Sequence, residues 1–132
     1  MKHRFPIRVY YEDTDLAGVV YYANYLKFTE RGRSEFLREL GIDQGKLKAE
    51  ADFVFAVRKV DAEYLIPAKF DDDVEVVTEV SAVTGARIVL NQDIYRQSDL
   101  LFRSQVTIVA MNSGGAAARL PASIRATLTG KV

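Results

Sequence analysis

The chain has no cysteine and a single histidine, His3. The first absence removes disulfides, thiolate zinc sites and cysteine nucleophiles together. The second removes a histidine-built metal site. It also leaves a Ser-His-Asp triad dependent on a residue near the start of the chain folding back into a cleft. Charge of either sign is not in excess, since 18 Lys and Arg balance 18 Asp and Glu. No basic field is present to attract nucleic acid. Long hydrophobic runs are missing as well. The uncharged stretches Leu16 to Leu26, with Gly18 and Asn24, and Ser104 to Ala118, with Asn112, Gly114 and Gly115, are both too short to span a membrane. Met1 to Pro6 carries positive charge with no apolar segment behind it, so no signal peptide is expected. These absences point to the cytoplasm. They also require any acid–base chemistry to come from Asp, Glu, Tyr or backbone amides.

What is present suffices for one domain over residues 1–132 with its own core. Ile7 to Tyr11 reads as a short strand. From Tyr22, apolar or small residues recur at Tyr25, Leu26, Thr29, Gly32, Phe36, Leu37 and Leu40, which predicts a helix over 24–40. Asn24 suits its N-cap and Gly41 the position just past its end. Gly32 costs roughly 1 kcal/mol in helix propensity and is tolerated if a strand packs very close there. Four long strands are expected at Val54 to Ile66, Val74 to Val83, Arg87 to Arg96 and Leu101 to Met111. Short polar turns between them, such as Thr84-Gly85-Ala86, imply an antiparallel meander. The pattern is α+β, with the helix laid across the concave face of a five-stranded antiparallel sheet. Pro121 starts a short final piece of no defined state.

Chemistry concentrates between the first strand and the helix. Glu12, Asp13 and Asp15 lead into Leu16-Ala17-Gly18-Val19-Val20, and the helix follows. A carboxylate is thereby held near a helix N-terminus, where free N–H groups and the positive dipole end gather. Such a pairing offers a base or nucleophile beside an oxyanion site. The residues alone equally allow Asp15 to be a structural turn aspartate. The acidic cluster is not expected to bind metal, because alternation on an extended chain separates neighbouring side chains. Asp71-Asp72-Asp73 is expected to be a solvated turn. Tyr21, Tyr25, Phe28 and Phe36 are expected in the core.

The run Tyr11-Glu12-Asp13-Thr14-Asp15, Ala17 to Tyr22 and Asn24-Tyr25 resembles the signature of 4-hydroxybenzoyl-CoA thioesterase-like enzymes, which have the hotdog fold. Leu26-Lys27-Phe28 with Glu30 to Glu35, Tyr64 to Asp72 and Asn91 to Tyr95 is similar to the acyl-CoA thioesterase branch associated with the Tol-Pal system. The resemblance implies one long central helix wrapped by five antiparallel strands. It implies hydrolysis of an acyl-CoA thioester; no cofactor is expected, and with one histidine, no cysteine and no ligand constellation no metal is expected either. Asp15 is then catalytic, as nucleophile or general base, and the Tyr22 amide polarises the thioester carbonyl. The Tol-Pal-associated branch often carries histidine at the Tyr22 position. Gly18, Val19 and Val57 are substrate-binding candidates, and Arg58, Lys59 and Arg87 are candidates for the CoA phosphates, with Arg119 a weaker one. A homo-oligomer, dimer or tetramer, is implied, with Val57 to Lys59 facing Asp15 of the neighbouring chain. An acyl-carrier-protein thioesterase and a non-catalytic hotdog scaffold remain as alternatives.

Overall fold

The computed structural model describes residues 1–132. In chain order it forms β1 (Lys2–Arg8), a 3-10 turn (Tyr11–Asp13), α1 (Asn24–Glu39), α2 (Gln44–Ala51), β2 (Val54–Tyr64), β3 (Asp73–Val83), β4 (Arg87–Arg96), β5 (Asp99–Met111) and α3 (Ala122–Thr129). The five strands make one antiparallel sheet in the order β1-β3-β4-β5-β2. α1 packs against β1, β3 and β4, so the expected wrapped-helix architecture is present. No helix is long and apolar enough to cross a membrane.

Helix α1 buries Tyr25, Phe28, Thr29, Gly32, Phe36 and Leu37. Gly32 marks its closest approach to the sheet. A Cβ there would lie 2.6 Å from Val76 Cγ1 and 3.1 Å from Val76 Cβ, so only glycine allows this helix–strand distance. Leu26 departs from the expected stripe and is exposed, as is Tyr21. Asn24 is not the N-cap. It is the first helical residue, and its side-chain amide donates to the Asp13 carbonyl at 2.9 Å. Gly41 terminates the helix with φ +80°, the left-handed conformation that glycine accepts without a Cβ penalty.

Two other expectations are corrected, and two segments without an expected state gain one. The first strand covers Lys2–Arg8 rather than Ile7 to Tyr11. Pro6 fits it because β1 is an edge strand, paired only with β3. The meander holds for β3-β4-β5 alone; β2 crosses to pair with β5 at the far edge. The segment before β2 is helix α2, capped by Asp43, whose side chain accepts from the Lys46 amide at 3.0 Å. The final piece is helix α3, which buries Ile124 and Leu128.

The core has two apolar parts. One gathers Phe36, Leu37, Phe53, Leu90, Val106 and Leu128. The other gathers Val9, Val20, Tyr25, Phe28, Ala68 and Phe102. Polar groups run through the same interior. Gln92 Nε2 donates to the Thr29 carbonyl and to Thr78 Oγ1, both at 2.9 Å, and its Oε1 accepts from Arg33 Nη1 at 3.2 Å. Ser104 Oγ donates to the Gln92 carbonyl at 2.6 Å. Every buried member thus has a partner, as a low-dielectric interior requires. Burial pushes the Arg33 guanidinium below its ordinary value, with Glu30 opposing.

Candidate active site

The carboxylate-bearing loop leaves β1 through Val9 and enters α1 after Val20. Its first half is a 3-10 turn closed by Asp13, whose side chain accepts from the Tyr10 amide at 2.8 Å. The second half is a tight hairpin. Asp15 N–H donates to the Val19 carbonyl at 2.9 Å, and Gly18 N–H donates to the Asp15 carbonyl at 3.0 Å. Gly18 has φ +80°, which is why this bend carries glycine. Tyr21 N–H then donates to the Asp13 carbonyl at 2.9 Å. Residues 13 and 15 are therefore laid beside 21 and 19, and the Asp15 side chain is brought to the entrance of the helix.

The Asp15 carboxylate is exposed at this entrance and accepts one bond, from the Ala17 amide at 2.9 Å. Glu12 is exposed, and Asp13 is occupied in the loop. No group of three or more His, Cys, Asp or Glu side chains is arranged to hold a metal ion.

At the helix entrance the backbone amides of Tyr22 and Ala23 donate to no acceptor in the chain. The carbonyl of each of those two peptides is held. Tyr21 C=O accepts from the Asn24 amide at 2.8 Å, and Tyr22 C=O accepts from Tyr64 Oη at 3.0 Å. Two N–H groups are thus left free on peptides fixed at their other ends, an arrangement suited to an electron-rich oxygen. Aromatic rings wall this end of the molecule. Tyr25 stacks on Phe102 at 5.1 Å, and Tyr64 meets both edge-on, at 5.4 and 5.1 Å. Tyr22 meets Tyr64 at 6.2 Å. The phenol of Tyr21 is raised, mostly by Tyr22 and in smaller part by the charge on Asp15. Burial raises the phenols of Tyr25 and Tyr64.

Val57, Arg58 and Lys59 lie on β2, the free edge strand opposite β1. The register with β5 slips between Val57 and Lys59, leaving Arg58 as the extra residue of a β-bulge. Bulges of this kind re-aim side chains and recur beside active sites. Lys59 pairs loosely with Asp61, at 3.4 Å. Arg87 opens β4, and Arg119 lies over the turn before it, with Nη2 3.5 Å from where a Gly85 Cβ would stand. These basic residues are not next to Asp15. Arg87 is level with Val109 on β5, whereas Tyr64 is level with Phe102. The separation is seven residues of strand, roughly 24 Å. Within one chain, then, Asp15, Gly18, Val19 and the Tyr22 amide form one group, and Arg87 and Arg119 form another at the far end of the sheet. Val57 to Lys59 stand on the open edge, toward the Arg87 end, level with Ile108 and Thr107. The contributions of Ala23 and Tyr64 were not among the sequence expectations. The signal was a tyrosine ending a strand, on the same side as Val60 and Ala62.

The model of the family described as "Thioesterase superfamily" matches residues 17–102. The chain belongs to this superfamily and is a thioester hydrolase. It is 44% identical over 110 residues to the acyl-CoA thioesterase YbgC of Haemophilus influenzae, an alignment covering 83% of this chain and 81% of that one. The acyl-CoA thioester hydrolase YbgC of Escherichia coli O6:H1 matches at the same 44% identity and the same coverage. Among solved structures, a probable thioesterase from Bartonella henselae superposes with a TM-score of 0.89 at 39% identity, covering 92% of this chain and all of that one. The sheet-wrapped helix is accordingly the hotdog fold of these thioesterases.

Proposed function

We propose that the protein hydrolyses acyl-CoA thioesters in the cytoplasm, with Asp15 as the reacting carboxylate. The observation that carries the reading is a single-acceptor carboxylate at the same helix entrance as two unpaired, anchored amides. A thioester oxygen seated on the Tyr22 and Ala23 N–H groups gains stabilisation as its charge grows. Asp15 then either removes a proton from the water that attacks the carbonyl carbon, or attacks that carbon itself to give an anhydride that water cleaves. In both routes the C–S bond breaks, and CoA leaves as a thiolate that takes up a proton. Gly18 and Val19 line the approach. The names of the YbgC relatives favour acyl-CoA as the thioester.

The working unit in this proposal is a homodimer or larger. β2 is a free edge carrying exposed Val57, Val60 and Tyr64, and such edges call for a covering partner. A second copy added antiparallel along β2 would bring its Val57, Arg58 and Lys59 to the Tyr64 end, facing Asp15 of the first. The same operation would draw the distant Arg87 and Arg119 toward the substrate's phosphates, which one chain alone holds too far away.

The test is thiol release from a panel of short, long and aromatic acyl-CoAs by wild type and Asp15→Asn. Wild type is expected to turn over at least one, and the variant to lose roughly 10²-fold or more in kcat while remaining folded. Near-wild-type turnover by the variant would remove Asp15 from the mechanism.

A further inference from the structure

The loop bearing Asp15 stands on two feet, and both rest on one segment. At the first, Val9 N–H donates to the Asp72 carbonyl and Asp71 N–H donates to the Val9 carbonyl, each at 2.9 Å. At the second, Val20 N–H donates to the Ala68 carbonyl at 2.8 Å, and Val19 forms an antiparallel bridge with Lys69. Val9, Val20 and Ala68 are all buried. Between the feet the loop is mostly exposed, and its one hydrogen-bonded tie outside itself is at the Asp13 carbonyl, which accepts from the Tyr21 amide and the Asn24 side chain at the helix entrance, each at 2.9 Å. The placement of its two ends is thus inherited from residues 68–72.

That segment lies between strands and has few strand bonds of its own. Three shielded side chains hold it, Asp72, Arg96 and Tyr25, and the exposed Arg8 reaches it as well through Asp71. Asp72 Oδ2 accepts from the Lys69 amide at 2.8 Å, while the Asp72 amide donates to the Lys69 carbonyl at 3.1 Å, closing the turn from both ends. Arg96, the last residue of β4, donates through Nη1 to Asp72 Oδ2 at 2.7 Å and reaches the Pro67 carbonyl at 3.4 Å. Tyr25 Oη accepts from the Ala68 amide at 3.0 Å. Asp72 and Arg96 are 22% and 27% exposed, the most shielded carboxylate–guanidinium pair in the chain. Asp71 and Asp73, in contrast, share the exposed Arg8 at 3.0 and 2.9 Å. All three acids are ion-paired; Asp71 and Asp73 are exposed, as a solvated turn requires, and only the middle member departs from that expectation, in burial and in partner.

We propose that Asp72 and Arg96 are positioning residues for the reaction: by locking residues 67–72 to the end of β4 they fix both feet of the loop, and so the place of Asp15 relative to the helix-entrance amides. The proposal rests on the assignment of Asp15. A carboxylate displaced by an ångström loses alignment with a carbonyl seated on rigid amides, and such remote misplacement can lower a rate by about 10²-fold. Binding of the CoA moiety uses other residues and is left intact.

The experiment pairs kinetics with amide hydrogen exchange, using the acyl-CoA turned over fastest in the panel. Arg96→Met is expected to lower kcat by roughly tenfold to 10²-fold with KM little changed. In it the Val9 and Val20 amides should exchange faster, while Leu90 and Val106 in the sheet exchange as in wild type. Arg96→Lys, which keeps the charge on Asp72, should restore much of kcat and of the protection. Should Arg96→Met not fold, Arg96→Lys and Asp72→Asn carry the same two readouts. Asp15→Asn should lose kcat with Val9 and Val20 exchanging as in wild type, which separates the two ideas. Unchanged exchange at Val9 and Val20, or faster exchange with kcat untouched, overturns the positioning role. An equal rise in exchange at Leu90 and Val106 overturns it too, by making the pair a general stabiliser. An active Asp15→Asn overturns the catalytic assignment and the positioning role with it, even if exchange responds as expected.

Discussion

The hydroxyl of Tyr64 donates to the carbonyl of Tyr22 across 3.0 Å, tying the last residue of the edge strand to the peptide that opens the long helix. That peptide's other end is the Ala23 N–H, one of the two amides left free. A side chain on β2 thus orients a backbone donor on the helix, and the donor belongs to no mutable side chain.

The consequence is an inversion of the usual ranking of tyrosines. Tyr22→Phe should be mild, because its amide and carbonyl stay in place. Tyr22→His should remain active for the same reason. Tyr64→Phe removes a bond worth about 1 kcal/mol, or roughly fivefold in rate if it is felt in the transition state. Steady-state kcat for the three variants, with folding checked by circular dichroism, decides the matter. A Tyr22→Phe protein that folds yet is as inactive as Asp15→Asn would make the phenol catalytic and refute the backbone account.

Gly32 makes a second case. Gly32→Ala gains up to about 1 kcal/mol of helix propensity but forces a methyl against Val76, a stiff β-branched side chain on a central strand. Overpacking of this kind typically costs about 1–3 kcal/mol, so a net loss of stability is expected. Pairing it with Val76→Ala should recover part of the loss, giving a favourable coupling in a urea-unfolding double-mutant cycle. Simple additivity would mean that the helix shifts freely over the sheet.

Asp93 offers a pH-dependent prediction. Burial raises its carboxyl above the ordinary range, against smaller opposing effects from the Ser104 amide, Arg103 and Lys2. A carboxyl raised in the folded state favours folding when protonated. That contribution is present below the unfolded value near 3.9 and lost as pH rises through the folded one. Asp93→Asn should therefore be more stable than wild type near neutral pH, with the gain shrinking as pH falls toward about 4. Partial exposure keeps the gain below about 1 kcal/mol. Urea unfolding at the two pH values measures it, and a gain that grows on acidification would reverse the sign of the argument.

The open edge of β2 predicts the mass in solution. Sedimentation should give at least twice the 14.8 kDa of one chain. Val60→Lys, a charge on the exposed edge, should shift the protein toward monomer and lower activity together. An active wild-type monomer would refute the shared site.

The sequence made the helix and β4 legible because their apolar spacing continues without interruption, and β4 begins and ends where that spacing predicts. It hid α2, since Gln44 to Ala51 offers only Leu47 as a large apolar residue and no stripe. β1 was less legible, since it carries Pro6, which a strand accommodates at an edge. The crossing of β2 left no local mark: the chain from Leu65 to Asp72 is long enough for either a turn or a crossover, and side-chain alternation is the same in both. At the site, Asp15 and Tyr22 stood out through a contiguous motif. The Asp72–Arg96 pair did not, because its members are 24 residues apart and each looks like an ordinary surface charge until the chain is folded.

The interior polar chain through Gln92 sets a boundary for how this protein can change. On one side lie Val20, Tyr25, Phe28 and Ala68, which back the loop and the aromatic wall. On the other lie Phe36, Phe53, Ile124 and Leu128, under the two short helices. Substitutions that share no partner tend to add rather than interfere. Changes confined to the compartment behind the loop therefore leave the other to go on supplying stability, and a mutational library could be drawn along the same line.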